Sequence, residues 1–164
     1  MEHDGRETFG QYFESLQVGD VYKHWPGVTI TDTMNTWFCF LTMNHNPVHF
    51  DAEYAKTHHK DGRKLVVGTL VFSMVVAMSI PQVSGKAIAN LRYDEVVHTA
   101  PVFVGDTIYA EAKVLEKREA SKGGRGVVKL GHRAWNQRGE TVLTFTRDVL
   151  LPKRNYTASS VQRW

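Results

Sequence analysis

One short segment of the chain concentrates the side chains that could do chemistry. It is rich in imidazoles and amides, in the order Asn44-His45-Asn46-Pro47-Val48-His49-Phe50-Asp51. A histidine side chain titrates near neutral pH, so either imidazole is a candidate general base. Two histidines four residues apart would also suit a metal on one helical face, but the intervening proline disfavours a helix there. From spacing alone the favoured interpretation is simpler, a turn between helices whose side chains satisfy backbone groups.

The sequence on each side of this segment predicts the helices that hold it. Thr31 or Asp32 is a suitable cap for a helix that runs to Leu41, because its apolar residues recur at spacings of three and four. Turn-forming residues end that pattern, and a short helix is expected to resume near Asp51.

The segment from Leu65 to Ile80 is apolar on nearly every side and is followed by Pro81. We therefore expect a central buried helix that stops at this proline, and it is shorter than the roughly 20 residues of a membrane span. Residues 107–114 alternate between apolar and polar side chains, which predicts a half-buried strand. Further extended pieces are expected at 21–22, 28–30, 87–93, 127–135 and 141–150, with turns at Gly123-Gly124 and Arg138-Gly139. Helices first and strands after predict an α+β domain whose antiparallel sheet wraps the apolar helix.

The composition sets limits on the function. The 164 residues carry a net charge of only +3 and scattered basic side chains, so we expect no nucleic-acid partner. The single cysteine, Cys39, excludes an internal disulfide and a cysteine-based zinc cage, and its apolar neighbours predict burial. The polar residues 1–7 lack the apolar core of a signal peptide, so we expect a cytoplasmic protein without membrane contact.

The pattern Asn44-x-Asn46-Pro47-x-His49 resembles the hydratase motif of the MaoC-like, R-specific enoyl-CoA hydratase family, which usually reads Asp-x-Asn-Pro, one residue, then His. The resemblance continues in Gly68-Thr69-Leu70 and in the segment 101–106, and it covers roughly residues 13–152. It implies one hot-dog domain over 1–164, with flexible ends at about 1–8 and 155–164. It also implies an acyl-CoA hydratase or dehydratase that needs no cofactor, since coenzyme A is part of the substrate. A homodimer, or a multiple of one, is expected from pairing of exposed sheet edges.

The resemblance assigns roles to individual residues. His49 matches the catalytic histidine, and Gly68 matches the residue whose backbone N–H binds the thioester oxygen. That oxygen gains negative charge when water adds, and a helix N-terminus supplies free N–H groups and a favourable dipole. Candidate substrate-binding residues are Asn46, Val67, Thr69 and Arg92. For the phosphates of coenzyme A we consider Arg92 together with Arg63, Lys64 and Lys86. No metal ligand is expected.

Asn44 stands where the family has its catalytic aspartate, and an amide cannot exchange a proton in that role. In one interpretation Asn44 orients the water while His49 carries out all proton transfer. In the other, activity is lost and the chain is a non-catalytic acyl-CoA-binding or regulatory subunit. A hot-dog thioesterase is a third hypothesis, disfavoured because residues 65–80 contain no carboxylate. The sequence around Asn44 is also similar to the branch that acts on branched or dicarboxylic acyl-CoAs such as mesaconyl-CoA and β-methylmalyl-CoA.

Overall fold

The computed structural model describes residues 4–121 and 123–157, which form five strands and four α-helices. The strands are β1 (Val21–Thr29), β2 (Ala89–His98), β3 (Thr107–Glu119), β4 (Arg125–Asn136) and β5 (Thr141–Pro152). The α-helices are α1 (Gly5–Thr8), α2 (Asp32–Leu41), α3 (Ala52–His58) and α4 (Gly68–Met78). Single turns of 3-10 helix occur at Phe13–Ser15 and Pro47–His49, and one π-helical turn occurs at Ile80–Ser84.

All five strands join one antiparallel sheet in the order β1-β3-β4-β5-β2. The alternation predicted for residues 107–114 is confirmed, because Ile108, Ala110, Ala112 and Val114 are all buried. Ala110 pairs with Ala134, which pairs with Leu143, so the buried faces of three strands form a continuous floor. The expected α+β domain is confirmed.

Helix α4 packs on that floor. Leu70, Val71 and Val75 are buried in one cluster with Ile108 and Phe145 of the sheet. Its burial is not uniform, since Thr69, Ser73 and Ala77 are exposed along one side. The helix therefore packs against the sheet on one side and presents a row of small side chains on the other.

The apolar run from Leu65 to Ile80 extends beyond the α-helix at both ends, whereas the helix start at Gly68 that the resemblance implied is confirmed. Residues 65–67 are extended, because the Val66 N–H donates to the Val102 carbonyl oxygen at 2.8 Å and Leu65 forms a β-bridge with Phe103. The α-helix ends at Met78, before Pro81, and the π-helical turn then runs through the proline. A buried apolar run has no periodicity from which these limits could be read.

The helices around the polar segment are confirmed. Thr31 caps α2, its Oγ1 accepting from the Met34 N–H at 3.2 Å. Asp51 caps α3 in the same way, with its Oδ1 accepting from the Tyr54 N–H at 2.9 Å. Both caps satisfy N–H groups that the first turn of a helix leaves without a partner. They fix where the intervening loop starts and ends.

Three further expectations concern the rest of the chain. Residues 21–22 and 28–30 were expected as separate pieces, but residues 21–29 form one edge strand with an irregularity between His24 and Val28. Cys39 is fully buried, as expected. The expected flexible ends fall partly outside the described residues, and within the first of them α1 is helical. No helix in the described part of the chain is long and apolar enough to cross a membrane.

Candidate active site

The His49 imidazole is held in one orientation by the backbone. The residue closes the 3-10 turn Pro47–His49, and its Nδ1 lies 2.9 Å from the Leu65 carbonyl oxygen. A carbonyl oxygen can only accept, so Nδ1 carries the hydrogen and donates it. Nε2 then carries the lone pair, which is the state that a general base requires.

The two asparagines of the motif stabilise the loop itself. The Asn44 Oδ1 accepts from the Asn46 N–H at 3.1 Å, and the Asn46 Oδ1 accepts from the Val48 N–H at 3.3 Å. These are the local side-chain to backbone bonds that asparagine commonly makes in turns. The interpretation of this segment as a turn whose side chains satisfy backbone groups within it thus holds for Asn44 and Asn46. The His49 imidazole instead bonds outside the loop, to the Leu65 carbonyl oxygen.

Helix α4 begins at Gly68, with Val67 as its N-cap. Among residues 4–121 and 123–157, neither the Gly68 N–H nor the Thr69 N–H donates to a protein acceptor. A helix leaves such donors at its N-terminus, where its dipole also favours negative charge. The start of α4 is therefore ready to bind an oxygen that gains negative charge.

A cavity of about 350 Å³ brings His49 and Gly68 together. Its wall is completed by His59, by residues 65–66, by Val71 and by residues 98–102. His98 was missed by the sequence reasoning, since a lone histidine thirty residues beyond the glycine gives no signal. Partial burial lowers the pKa of the His98 ring below the ordinary histidine value, because burial disfavours the charged form.

The His98 ring explains why a glycine begins the helix. A Cβ on Gly68 would lie 2.9 Å from the His98 Nε2 and 3.0 Å from its Cε1. Those contacts are too short for a carbon atom, so any larger residue would displace the ring. The imidazole consequently packs directly against the backbone that offers the free N–H.

The other predicted site residues do not line this cavity. Val67 is buried with its N–H bonded to Asn35, and Thr69 is exposed. Arg92 lies on β2 and forms an ion pair of 2.5 Å with Asp94. Their predicted contacts with substrate stay predictions.

The candidate phosphate-binding cations also have partners. The Lys86 Nζ donates to four backbone carbonyl oxygens between residues 6 and 10, and Lys64 forms an ion pair with Asp32. The Arg63 guanidinium lies 3.9 Å from the centre of the Phe103 ring, and Phe103 directly follows Val102 of the cavity wall.

A larger cavity, of about 790 Å³, lies beyond the C-terminal end of α4 beside Lys86 and Arg154. We assign the candidate site to the smaller cavity because it holds the oriented base and the free helix donors. Within the described ranges, no three His, Cys, Asp or Glu side chains come together as a metal site would require.

A second polar cluster lies at the opposite end of α4. Arg147 of β5 is 1% exposed, and its Nη2 donates to Ser79 Oγ at 2.7 Å and to Ser84 Oγ at 3.0 Å. Its Nε donates to the His132 Nε2 at 3.0 Å, and its Nη1 donates to the Asn90 Oδ1 at 3.2 Å. Burial and the adjacent guanidinium hold the pKa of His132 well below the usual histidine value.

A protein-family model described as "MaoC like domain" matches residues 14–136. The chain belongs to the MaoC-like domain family. The match includes both the His49 loop and the start of α4, and the fold brings two of the residues that carry the resemblance, His49 and Gly68, to one cavity.

Characterised relatives of this MaoC-like chain include hydratases. A mesaconyl-CoA hydratase of Cereibacter sphaeroides is 32% identical over 91% of this chain and 43% of its own length. An (R)-specific enoyl-CoA hydratase of Aeromonas caviae is 31% identical over 70% of this chain and 81% of its own length. The chain thus spans less than half the length of the mesaconyl-CoA hydratase.

Solved structures establish the hot-dog fold. A monoamine oxidase regulatory protein from Archaeoglobus fulgius superposes with a TM-score of 0.77 at 35% identity, over 88% of this chain and 95% of that one. A Mycobacterium tuberculosis protein described as having a double hot-dog fold gives a TM-score of 0.82 at 24% identity, over 93% of this chain and 47% of that one. The sheet wrapped round α4 is therefore a hot-dog fold, as the resemblance implied.

Proposed function

We propose that this chain catalyses the reversible addition of water to the double bond of a 2-enoyl thioester of coenzyme A. One observation carries the proposal: the His49 imidazole, whose Nδ1 is bonded to the backbone, shares a small cavity with Gly68, whose N–H has no acceptor among the described residues. The kinds of group that the reaction requires, a base and a donor for the thioester oxygen, are both present. The hydratases among the relatives support the same reaction class.

In the hydration direction, the His49 Nε2 accepts a proton from water as the water oxygen bonds to C3 of the enoyl group. The C2–C3 π electrons shift toward the thioester carbonyl, whose oxygen becomes negatively charged. The Gly68 N–H donates to that oxygen, and the dipole of α4 stabilises the charge. The donor is fixed in place before the reaction, so little reorganisation is needed when the charge develops.

In the second half of the reaction the protonated His49 returns its proton to C2. The enolate collapses to the thioester, and the product is the 3-hydroxyacyl-CoA. One base on one side of the substrate suffices for both transfers, which gives syn addition. A second proton carrier at position 44 is not needed. This agrees with the structure, in which the Asn44 side chain stabilises the loop by accepting from the Asn46 N–H.

The finer proposal is a branched or dicarboxylic acyl group, of which mesaconyl-CoA is an example. The mesaconyl-CoA hydratase relative supports it. The cavity supports it as well, because its volume is small and three imidazoles, of His49, His59 and His98, line it. An imidazole N–H is a suitable donor to a second carboxylate.

We further propose a homodimer or a multiple of one. Strand β2 is an edge of the sheet, and its apolar residues Leu91, Tyr93, Val96 and Val97 are between 38% and 50% exposed. An open edge that carries exposed apolar side chains is normally covered. A second copy would supply a second hot-dog unit, as the double hot-dog relative has within one chain. Light scattering at micromolar concentration should give at least twice the chain mass, and a monodisperse monomer would refute the dimer.

The alternative is an acyl-CoA-binding or regulatory chain without catalysis. The specific observation in its favour is that Asn44 replaces the family's aspartate and is used as a turn cap. One assay separates the hypotheses: mesaconyl-CoA and a straight-chain 2-enoyl-CoA are supplied, and loss of the enoyl absorbance and release of free thiol are followed in parallel. Loss of absorbance alone supports the hydratase. Thiol release indicates a thioesterase, and binding with neither change indicates the regulatory chain.

A further inference from the structure

We infer that Asn35 of α2 is a positioning residue that fixes the base and the oxyanion donor relative to each other. The inference rests on the proposed function, since it assigns roles to His49 and Gly68. Asn35 is 0% exposed although it is polar. A buried amide is costly unless its donors and its acceptor all have partners.

All three partners of the Asn35 amide are backbone groups around the candidate site. Its Nδ2 donates to the His49 carbonyl oxygen at 2.8 Å and to the Leu65 carbonyl oxygen at 3.1 Å. Its Oδ1 accepts from the Val67 N–H at 3.0 Å. Because two partners can only accept and the third can only donate, the orientation of the amide is fixed.

The Leu65 carbonyl oxygen is shared between two side chains. It accepts from the Asn35 Nδ2 and also from the His49 Nδ1, at 2.9 Å. The group that selects the tautomer of His49 is therefore itself held by Asn35. A second bond from Asn35, to the carbonyl of His49, holds the backbone from which the imidazole projects.

The third bond reaches the start of α4. Val67 is the N-cap of that helix and directly precedes Gly68. Because the Val67 N–H is bonded to Asn35, the backbone is held in place directly before the Gly68 N–H, the proposed oxyanion donor. One side chain thus joins the backbone of the base to the backbone of the donor, which are nineteen positions apart in the sequence.

The chemical consequence concerns distance. Water and the thioester oxygen must fit between His49 and Gly68, and a displacement of about 1 Å can cost on the order of 100-fold in rate. Loss of Asn35 should therefore lower kcat, while the substrate surfaces that set binding stay in place. A purely structural amide would affect stability without such a change.

The chain offers a matched control in Asn136. It is also 0% exposed and also makes three hydrogen bonds, here within the turn between β4 and β5. Its Oδ1 accepts from the Arg138 and Glu140 N–H groups at 3.0 and 3.2 Å, and its Nδ2 donates to Glu140 Oε2 at 2.9 Å. Replacing it removes a buried amide with the same number of hydrogen bonds, away from the cavity wall.

The experiment compares Asn35→Ser, Asn35→Asp and Asn136→Ser with the parent chain. In Asn35→Asp the acceptor for Val67 is kept, but a carboxyl oxygen replaces the Nδ2 that donates to the two carbonyls. We expect kcat to fall on the order of 100-fold in the Asn35 variants with KM little changed. Asn136→Ser should have a lower Tm and the kcat of the parent. Parental kcat in either folded Asn35 variant, or an equal loss in Asn136→Ser, would overturn the inference.

A second measurement does not depend on turnover. In the ¹⁵N spectrum of the parent, the His49 ring should show a protonated Nδ1 and an unprotonated Nε2, and Asn35→Ser should mix the two tautomers. An unchanged tautomer in the variant would overturn the positioning role. If the parent hydrates none of the enoyl-CoAs supplied, the proposed function fails, and this spectrum still decides whether Asn35 orients His49.

Discussion

The two ends of α4 carry polar clusters that are organised in opposite ways. At the N-terminal end Gly68 lines a cavity, and the N–H groups of Gly68 and Thr69 have no acceptor in the described protein. At the C-terminal end the guanidinium of Arg147 is buried and donates to the helix-capping Ser79 and to Ser84. Both arrangements suit the dipole of the helix, whose N-terminus is positive and whose C-terminus is negative.

The two ends of α4 differ in whether the groups at the helix terminus have partners within the protein. The Ser79 Oγ donates to the Val76 carbonyl at 2.6 Å and accepts from Arg147, so the negative end is neutralised by the protein itself. The positive end has no such partner among the described residues, which agrees with the thioester oxygen that we propose to bind there. Changes at the first end should therefore alter turnover, and changes at the second should alter stability.

The largest effect is expected from the base. His49→Ala should reduce kcat/KM by about 100- to 10,000-fold, the usual contribution of a general acid–base group. His45→Ala is the control, because that histidine lies in the same loop and is exposed. Steady-state hydration of a 2-enoyl-CoA measures both variants. Parental turnover in His49→Ala would exclude His49 as the base.

The oxyanion donor is tested by two double variants. His98→Ala makes room for a Cβ at position 68, and Gly68→Ala or Gly68→Pro is then added. Both carry the Cβ and only the proline lacks the N–H. Proline is tolerated at the first position of a helix, and the Val67 backbone, at φ −61° and ψ 124°, is compatible with a following proline. The proline variant should be slower by about 100- to 1000-fold. Equal rates in the two folded variants would exclude this N–H as a donor.

A smaller effect is expected at Asn44. Asn44→Ala loses one hydrogen bond between neutral groups, so the rate should fall on the order of tenfold. Asn44→Asp keeps an acceptor for the Asn46 N–H and adds a titrating group. It should remain active and show an additional limb in its pH–rate profile. A loss in Asn44→Ala as large as that in His49→Ala would contradict a capping role.

The buried cluster around Arg147, at the C-terminal end of α4, should make the stability of the protein depend on pH. The folded state holds the pKa of His132 well below its usual value, and burial lowers the pKa of His24 as well. The unfolded chain therefore binds more protons below about pH 6.5, so stability is complete above that pH and declines as the pH falls. Denaturant midpoints across this range measure the decline. His132→Gln should flatten it, whereas exposed His58→Gln should not; an unchanged slope in His132→Gln would assign the acid sensitivity elsewhere.

Much of the fold near the site could be predicted from the sequence, because the signals are local. Thr31 and Asp51 cap helices through bonds to residues three positions ahead, which a pattern can reveal. The alternation from Ile108 onward gave the face of β3. The order of the strands could not be read in this way, since β1 and β2 pair with strands distant in the sequence.

The residues of the candidate site also differ in whether a local sequence signal identifies them. His49 and Gly68 were found through a motif, whereas Asn35 and His98 act across long separations. The Asn35 Oδ1 bonds to a residue 32 positions away, and nothing in its neighbourhood in the sequence indicates this. The apolar run alone placed the start of α4 too early for the same reason, because Val66 and Val67 are held extended by Val102 and Asn35.

The strand order has a consequence for how the protein is made. Strands β3, β4 and β5 follow one another as neighbours, so their hairpins close short loops, whereas β2 must wait for β5 to be synthesised. The cavity wall at 98–102 continues directly from β2. A chain still emerging from the ribosome therefore acquires the segment around His49 early and the cavity last. After rapid refolding, amides of β4 should become protected from hydrogen exchange before those of β2.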